Sequence, residues 1–131
     1  MIVLISEDLM MSSTVSAAVR AEGGTFRFVK SVERAKVKME GSECELLLVD
    51  LQTADLDWES LSELVSSLPR AVAYAQHVNV DILKRGRELA FEKVLTRGQM
   101  HAGVAEVLGT LYSVQTHAAR FTVSEPFTRF N

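Results

Sequence analysis

The stretch ECELLLVDLQTADLDW at residues 43–58 joins four consecutive apolar residues, an aspartate where that run stops, and a short polar loop. The apolar run from Leu46 to Val49 is typical of a strand buried on both faces of a parallel sheet. Asp50 is then a carboxylate at the tip of an interior strand. Because ligands of open parallel sheets gather outside the carboxyl ends of the strands, this position indicates a functional edge of the sheet.

Composition limits the classes of protein that fit this chain. Its 131 residues suit one domain, and a hydrophobic content of 47% allows a sizeable core. The formal net charge is -3, and the 14 lysines and arginines are spread along the sequence, which predicts no nucleic-acid partner. The single cysteine, Cys44, excludes an internal disulfide. Without a signal-peptide pattern or an apolar run of roughly 20 residues, we expect a cytoplasmic protein with no membrane partner.

Short β-rich runs alternate with segments of helical period as far as about residue 114. This alternation predicts an α/β fold in which five parallel strands are joined by crossover helices that cover both faces of the sheet. The alternation of Phe26, Arg27 and Phe28 marks the second strand as an edge strand. The predicted strands are residues 2–5, 25–29, 45–49, 71–74 and 93–95.

The helices between these strands have recognisable starts. We expect Ser12 or Ser13 to cap the first helix, Asp57 to cap the third, and the fourth to begin near Asn79. The fifth helix carries an apolar stripe at helical spacing. Its members are Met100, Val104, Val107, Leu108 and Leu111.

The sequence changes character after the fifth helix, so we predict one domain at residues 1–113 and a C-terminal tail or arm at residues 114–131. The tail is neither amphipathic nor alternating, yet Phe121, Phe127 and Phe130 make it more apolar than a typical disordered end. Two interpretations remain open. The arm either packs on its own domain or reaches a second copy or another partner.

Carboxylates cluster at the ends of two predicted strands. Glu7 and Asp8 follow the first strand, and Asp50 ends the third, so the three converge if those strands are neighbours. Clustered carboxylate oxygens suit a hard cation such as Mg²⁺. The alternative for Glu7 and Asp8 is a solvated loop or a helix cap, and for Asp50 a carboxylate solvated in its loop.

With these residues in place, the sequence resembles the receiver domain of two-component response regulators, which has a (βα)5 flavodoxin-like, CheY-like fold. The segment IVLISED resembles the family's acidic stretch after strand one, LLLVDLQTADLD its acceptor loop, and AFEKVLTRG the end of its fifth strand. The resemblance implies that Asp50 is the phosphoacceptor of a phosphorelay and that Glu7 and Asp8 hold Mg²⁺. The backbone carbonyl of Gln52 is implied as a third metal ligand.

Several positions depart from the family pattern. Tyr74 or Ala75 stands where the family has a small hydroxyl residue, and Arg97 followed by Gly98 replaces its lysine and proline. Val94 replaces the aromatic residue that takes part in the family's switch. Tyr74 can cover the pocket, and Arg97 is either a cation beside a phosphoryl group or a counter-ion of Asp50. These departures indicate an atypical receiver or pseudo-receiver.

Two classes of function follow. The first is a signalling module, not an enzyme, that acts through protein contacts with a histidine kinase or another signalling protein. It would dimerise through the face of helix 4, strand 5 and helix 5 or through its arm. The second is a small flavodoxin-like enzyme that transfers phosphoryl groups with Mg²⁺ bound by Glu7, Asp8 and Asp50. This alternative lacks an evident general base.

Overall fold

The computed structural model describes residues 1–109, in which five strands alternate with five helices. This arrangement confirms the predicted α/β alternation. The strands are β1 (Ile2–Ile5), β2 (Phe26–Val29), β3 (Leu46–Asp50), β4 (Ala71–Ala75) and β5 (Lys93–Thr96). The helices are α1 (Leu9–Ala21), α2 (Val32–Met39), α3 (Trp58–Ser67), α4 (Val80–Gly86) and α5, which is described over residues 97–109.

All five strands are parallel and lie in the order β2-β1-β3-β4-β5. The central position of β1 and β3 explains their unbroken apolar sequences, because each is covered by a layer of helices on both faces. The predicted edge position of β2 is confirmed. Since β1 and β3 are neighbours, the residues that follow β1 lie beside Asp50 at the carboxyl edge of the sheet.

Successive side chains along each strand pack into two separate hydrophobic cores, one on each face of the sheet. Val3 and Ile5 point toward α2, α3 and α4, whereas Ile2 and Leu4 point toward α1 and α5. This alternation follows from the period of two in a strand. In the second core Met100, Val104, Val107 and Leu108 of the predicted α5 stripe are all buried.

Two of the three predicted helix starts are confirmed. Asp57 caps α3 by accepting a hydrogen bond from Ser60 N–H at 3.1 Å, and α4 begins directly after Asn79. The start of α1 differs, because Asp8 rather than Ser12 or Ser13 is its cap and accepts from Met11 N–H at 3.1 Å. An aspartate in extended conformation just after β1 supplies a cap before the serines are reached.

Some predictions fall on residues 110–131, outside the described part of the chain. They are the position of Leu111, the domain boundary at residue 113, and the role of the arm at residues 114–131. Within residues 1–109, no helix is long and apolar enough to cross a bilayer.

Leu48 offers a direct measure of how much the central strands contribute to stability. It is fully buried in β3, whereas Leu9 at the start of α1 is 72% exposed. Replacing Leu48 with alanine removes buried methyl groups and leaves a cavity, so we expect the free energy of unfolding to fall by about 2–5 kcal/mol. Urea denaturation of Leu48→Ala and of its matched control Leu9→Ala measures this. Equal losses in the two variants would contradict the buried position of β3.

Candidate functional site

The candidate site lies at the carboxyl edge of the sheet and is centred on Asp50, the last residue of β3. One carboxylate oxygen of Asp50, Oδ2, accepts a hydrogen bond from the hydroxyl of Ser6 at 2.9 Å. The other, Oδ1, accepts from the backbone N–H of Gln52 at 3.0 Å. Both oxygens therefore have protein donors, one from the residue after β1 and one from the loop after β3.

Ser6 connects four parts of this edge, although the sequence patterns do not single it out. Its side chain is completely buried, and its oxygen donates to Asp50 while accepting from Asp8 N–H at 2.9 Å and from the Tyr74 hydroxyl at 3.1 Å. One signal was available in the sequence, since Ser6 is the first residue after β1. That is where the receiver resemblance implies that the acidic stretch begins.

Tyr74 lies opposite Asp50 in the register of β3 and β4, and its ring packs in the core between the sheet, α1 and α5. It is 1% exposed. Burial raises the pKa of its phenol far above the ordinary value, and the negative charge of Asp50 adds to that rise. The phenol is therefore a neutral donor that reaches the site through Ser6.

Asp8 and Arg97 form an ion pair at the rim of the site. Arg97 Nε donates to Asp8 Oδ2 at 2.7 Å, while Asp8 Oδ1 caps α1. The hydrogen bond from Arg97 holds the pKa of Asp8 below its usual value. The predicted counter-ion is thus present, but its direct partner is Asp8 and not Asp50.

Two further side chains tie the loops of this edge together. Glu7 Oε1 accepts from Ala54 N–H at 2.9 Å, which links the loop before α1 to the loop before α3. The side-chain oxygen of Gln52 accepts from Gln76 N–H and links the loop before α3 to the loop before α4. Glu7 and Gln52 therefore act as loop ties in this structure.

In this structure the three carboxylates that were predicted to bind Mg²⁺ accept hydrogen bonds from protein donors. Within residues 1–109, no group of three or more histidine, cysteine, aspartate or glutamate side chains is placed to hold a metal ion. Both oxygens of Asp8 and both oxygens of Asp50 accept hydrogen bonds from protein donors. The guanidinium of Arg97 already supplies positive charge at this rim. Binding of Mg²⁺ by Glu7, Asp8, Asp50 and the backbone carbonyl of Gln52 stays a prediction.

The Asp8–Arg97 ion pair leads to a prediction about the affinity for Mg²⁺. Replacing Arg97 with glutamine removes a positive charge and frees one oxygen of Asp8, so we expect affinity for Mg²⁺ to rise about tenfold, equivalent to ~1.4 kcal/mol. Calorimetric titration with MgCl₂ measures the change. The matched control is Arg87→Gln, which removes an exposed arginine from the end of α4. Equal Mg²⁺ affinity in the wild type and Arg97→Gln would show that Arg97 does not exclude the cation.

Burial raises the pKa of Asp50 above its usual value, against the lowering effect of the Gln52 N–H and of Ser6. With a raised pKa in the folded state, Asp50 lowers stability as the pH rises from its unfolded-state pKa, and the loss is complete above its folded-state pKa. We therefore expect Asp50→Asn to raise the free energy of unfolding at neutral pH. The gain should shrink as the pH falls and the wild-type carboxyl becomes protonated.

Denaturation from acidic to neutral pH, with Asp57→Asn as the control, tests the sign of the stability change. Hydrogen bonds from Ser60 lower the pKa of Asp57, so its ionised form stabilises the fold above its unfolded-state pKa. The control should therefore lose stability at neutral pH. Loss of stability in both variants would contradict the unfavourable burial of Asp50.

Comparison with solved structures identifies the fold as that of response-regulator receiver domains. The receiver domain of NtrX from Brucella abortus superposes with a TM-score of 0.70 at 13% identity, covering 86% of this chain and 98% of that one. The phosphorylated cyanobacterial phytochrome response regulator RcpA gives 0.70 at 18% identity, covering 86% and 94%. A receiver domain of the Pseudomonas aeruginosa sensor histidine kinase PA1611, with magnesium coordinated in its active-site cleft, gives 0.67 at 14% identity, covering 86% and 96%.

No protein-family model and no curated protein sequence matches this chain. The likeness to solved structures, at identities of 13% to 18% for these three, therefore concerns the fold.

Proposed function

We propose that this chain is an atypical receiver, a signalling module that keeps the receiver fold and transmits through protein contacts without Mg²⁺-dependent phosphorylation. The observation that carries the proposal is the 2.7 Å ion pair between Arg97 and Asp8. It places a guanidinium on a carboxylate that the receiver resemblance assigns to the metal. Arginine is always protonated, so this positive charge stays in place at every physiological pH.

The hydrogen bonds of Asp50 support the same proposal. A phosphoacceptor needs a carboxylate oxygen that can attack phosphorus, with cations to neutralise the transferred group. Both oxygens of Asp50 accept hydrogen bonds, one of them from the buried hydroxyl of Ser6, and the cation at this edge, Arg97, is bonded to Asp8 and not to Asp50. Asp50 then serves to join the end of β3 to Ser6 after β1, and Ser6 in turn bonds Tyr74 of β4.

Phosphorylation of Asp50 is the second candidate, and its position at the carboxyl end of β3 favours it. In that reaction a carboxylate oxygen attacks the phosphorus of an acyl phosphate, and the acyl carboxylate leaves. The small Mg²⁺-dependent enzyme is less well supported, because it needs the metal cluster that the described side chains do not form.

The proposed partners are a histidine kinase or another signalling protein, and the proposed site of action is the cytoplasm. For contacts with them, or with a second copy, we propose the face of α4, β5 and α5. β5 is the outer strand opposite β2, and its side chains from Val94 to Thr96 are only partly buried. An edge strand with partly exposed side chains leaves surface for a partner.

Intact-mass spectrometry after incubation with acetyl phosphate and Mg²⁺ tests the proposal. We expect no phosphoryl adduct on the wild type and none on the control Asp50→Asn, because Arg97 takes the place of the metal and Ser6 holds the acceptor. Arg97→Lys with the same treatment reports whether a more compact cation restores reactivity. An adduct on the wild type that is absent from Asp50→Asn would contradict the proposal and establish Asp50 as a phosphoacceptor.

A further inference from the structure

The outer strand β2 exposes part of its backbone. Thr25 and Val29 turn their carbonyls inward, where they accept from Ile2 N–H at 2.8 Å and from Ser6 N–H at 3.0 Å. Backbone groups alternate in direction along a strand, so the N–H and C=O groups of Phe26 and Phe28 point away from the sheet. A row of outward backbone groups is a template on which another extended chain can pair.

One of these outward groups is covered by the strand itself. The guanidinium of Arg27 donates from Nη1 to the carbonyl of Phe26 at 3.0 Å. This contact confirms that the Phe26 carbonyl faces outward. A chain that pairs with β2 would displace this guanidinium, which then becomes available to a carboxylate on the incoming chain.

A groove of about 580 Å³ runs beside the same edge, between β2 and α1. Its α1 wall has small side chains in the middle, Ser12, Ser13, Ser16 and Ala17, between the larger Leu9 and Arg20. Half-buried Phe26 and Phe28 line it from the strand. Small residues on one wall leave room for a peptide backbone, and the phenylalanine rings offer apolar contact to its side chains.

Positive charge is concentrated in the segment that contains β2, and Arg20, Arg27 and Lys38 of this segment line the groove. Residues 20–38 contain six basic and two acidic residues, a net charge of +4, whereas the rest of the chain contains eight basic and fifteen acidic residues. This count corrects the expectation that the basic residues are spread along the sequence. All six basic side chains are exposed, and within residues 1–109 none forms an ion pair. They are Arg20, Arg27, Lys30, Arg34, Lys36 and Lys38.

From this edge, groove and charge, we propose that β2 binds an extended acidic segment of a partner protein, which adds to the sheet as a sixth strand. Backbone hydrogen bonds with Phe26 and Phe28 would hold the segment, and carboxylates along it would pair with Arg20, Arg27 and Lys38 on the rim of the groove. This partner site is separate from the Asp50 site, none of whose residues line the groove.

Charge disfavours the two occupants that this chain could itself supply. Pairing of β2 with β2 of a second copy would bring two sets of basic side chains together. Residues 110–131 carry Arg120 and Arg129 against the single acid Glu125, so they do not complement the groove either. A nucleic acid offers negative charge but no strand backbone to pair with Phe26 and Phe28, and the rest of this chain would repel it.

The experiment uses the full chain and a synthetic peptide of about eight residues that alternates glutamate with valine, a length that matches a typical strand. Its controls are the same peptide with lysine in place of glutamate, and the acidic peptide N-methylated at alternate residues to remove strand pairing. Nuclear magnetic resonance follows amide shifts and hydrogen exchange. We expect the acidic peptide alone to protect the Phe26 and Phe28 amides from exchange.

Charge-reversal variants test the basic rim. The double variant Arg20→Glu and Lys38→Glu should weaken peptide binding by about tenfold, and added salt should weaken binding to the wild type. The matched control Lys84→Glu, an exposed lysine on α4, should leave binding unchanged. The substituted side chains of the double variant are exposed and form no ion pair within residues 1–109, so the fold should persist, as circular dichroism checks.

Three outcomes would overturn the proposal. The first is unchanged exchange of the Phe26 and Phe28 amides at saturating peptide. The second is equal binding of the N-methylated peptide, which would leave only charge attraction. The third is tighter binding of a single-stranded oligonucleotide than of the acidic peptide, which would indicate a nucleic acid as the partner of this edge.

Discussion

The parallel pairing of β1 with β3 determines the geometry of the functional edge. It brings the first residue after β1, Ser6, within 2.9 Å of the carboxylate that ends β3. Pairing of β3 with β4 then places Tyr74 opposite Asp50, and the Tyr74 hydroxyl reaches the same serine. Three strands are thus joined by side chains at the point where their backbone ladders end. A buried hydroxyl that makes three hydrogen bonds is costly to remove, because its partners lose their own bonds with it.

The Asp8–Arg97 pair matters for the chemistry of this edge more than for the stability of the fold. Its side chains are 18% and 34% exposed, and ion pairs in contact with water contribute little to folding. In this pair Arg97 donates a hydrogen bond to the Asp8 carboxylate and places a fixed positive charge beside it. A divalent cation at this rim would meet repulsion from the guanidinium. The hydrogen bonds of the Glu7 and Gln52 side chains also hold the loops of this rim together.

The two edges of the sheet differ in character. At the β2 edge, exposed basic side chains surround an outer strand whose outward backbone groups are only partly covered. At the carboxyl edge, carboxylates engage hydroxyl, amide and guanidinium donors. In a chain of net charge -3, the segment 20–38 carries a local net charge of +4, and such a local excess attracts negative charge before contact.

The sequence by itself determined the order of strands and helices, the central position of β1 and β3, the edge position of β2 and the place of Asp50. These features follow from hydrophobic periodicity, which records burial residue by residue. Several strands begin or end one residue away from their predicted limits. Thr25 and Glu45 were predicted as first strand residues and lie just before β2 and β3, because the pairing of backbone groups decides where a strand begins.

Only the tertiary structure decided which side chains meet. Arg97 lies 89 residues from Asp8 in sequence, and nothing in either segment favours that partner over Asp50. Ser6 carries no periodic signal, since a hydroxyl after a strand is as common in a turn as in a site. The charge of residues 20–38 is visible in the sequence, but only the structure shows that Arg20, Arg27 and Lys38 line one groove. Periodicity encodes how deeply a residue is buried, whereas the identity of its neighbour depends on the register of the sheet.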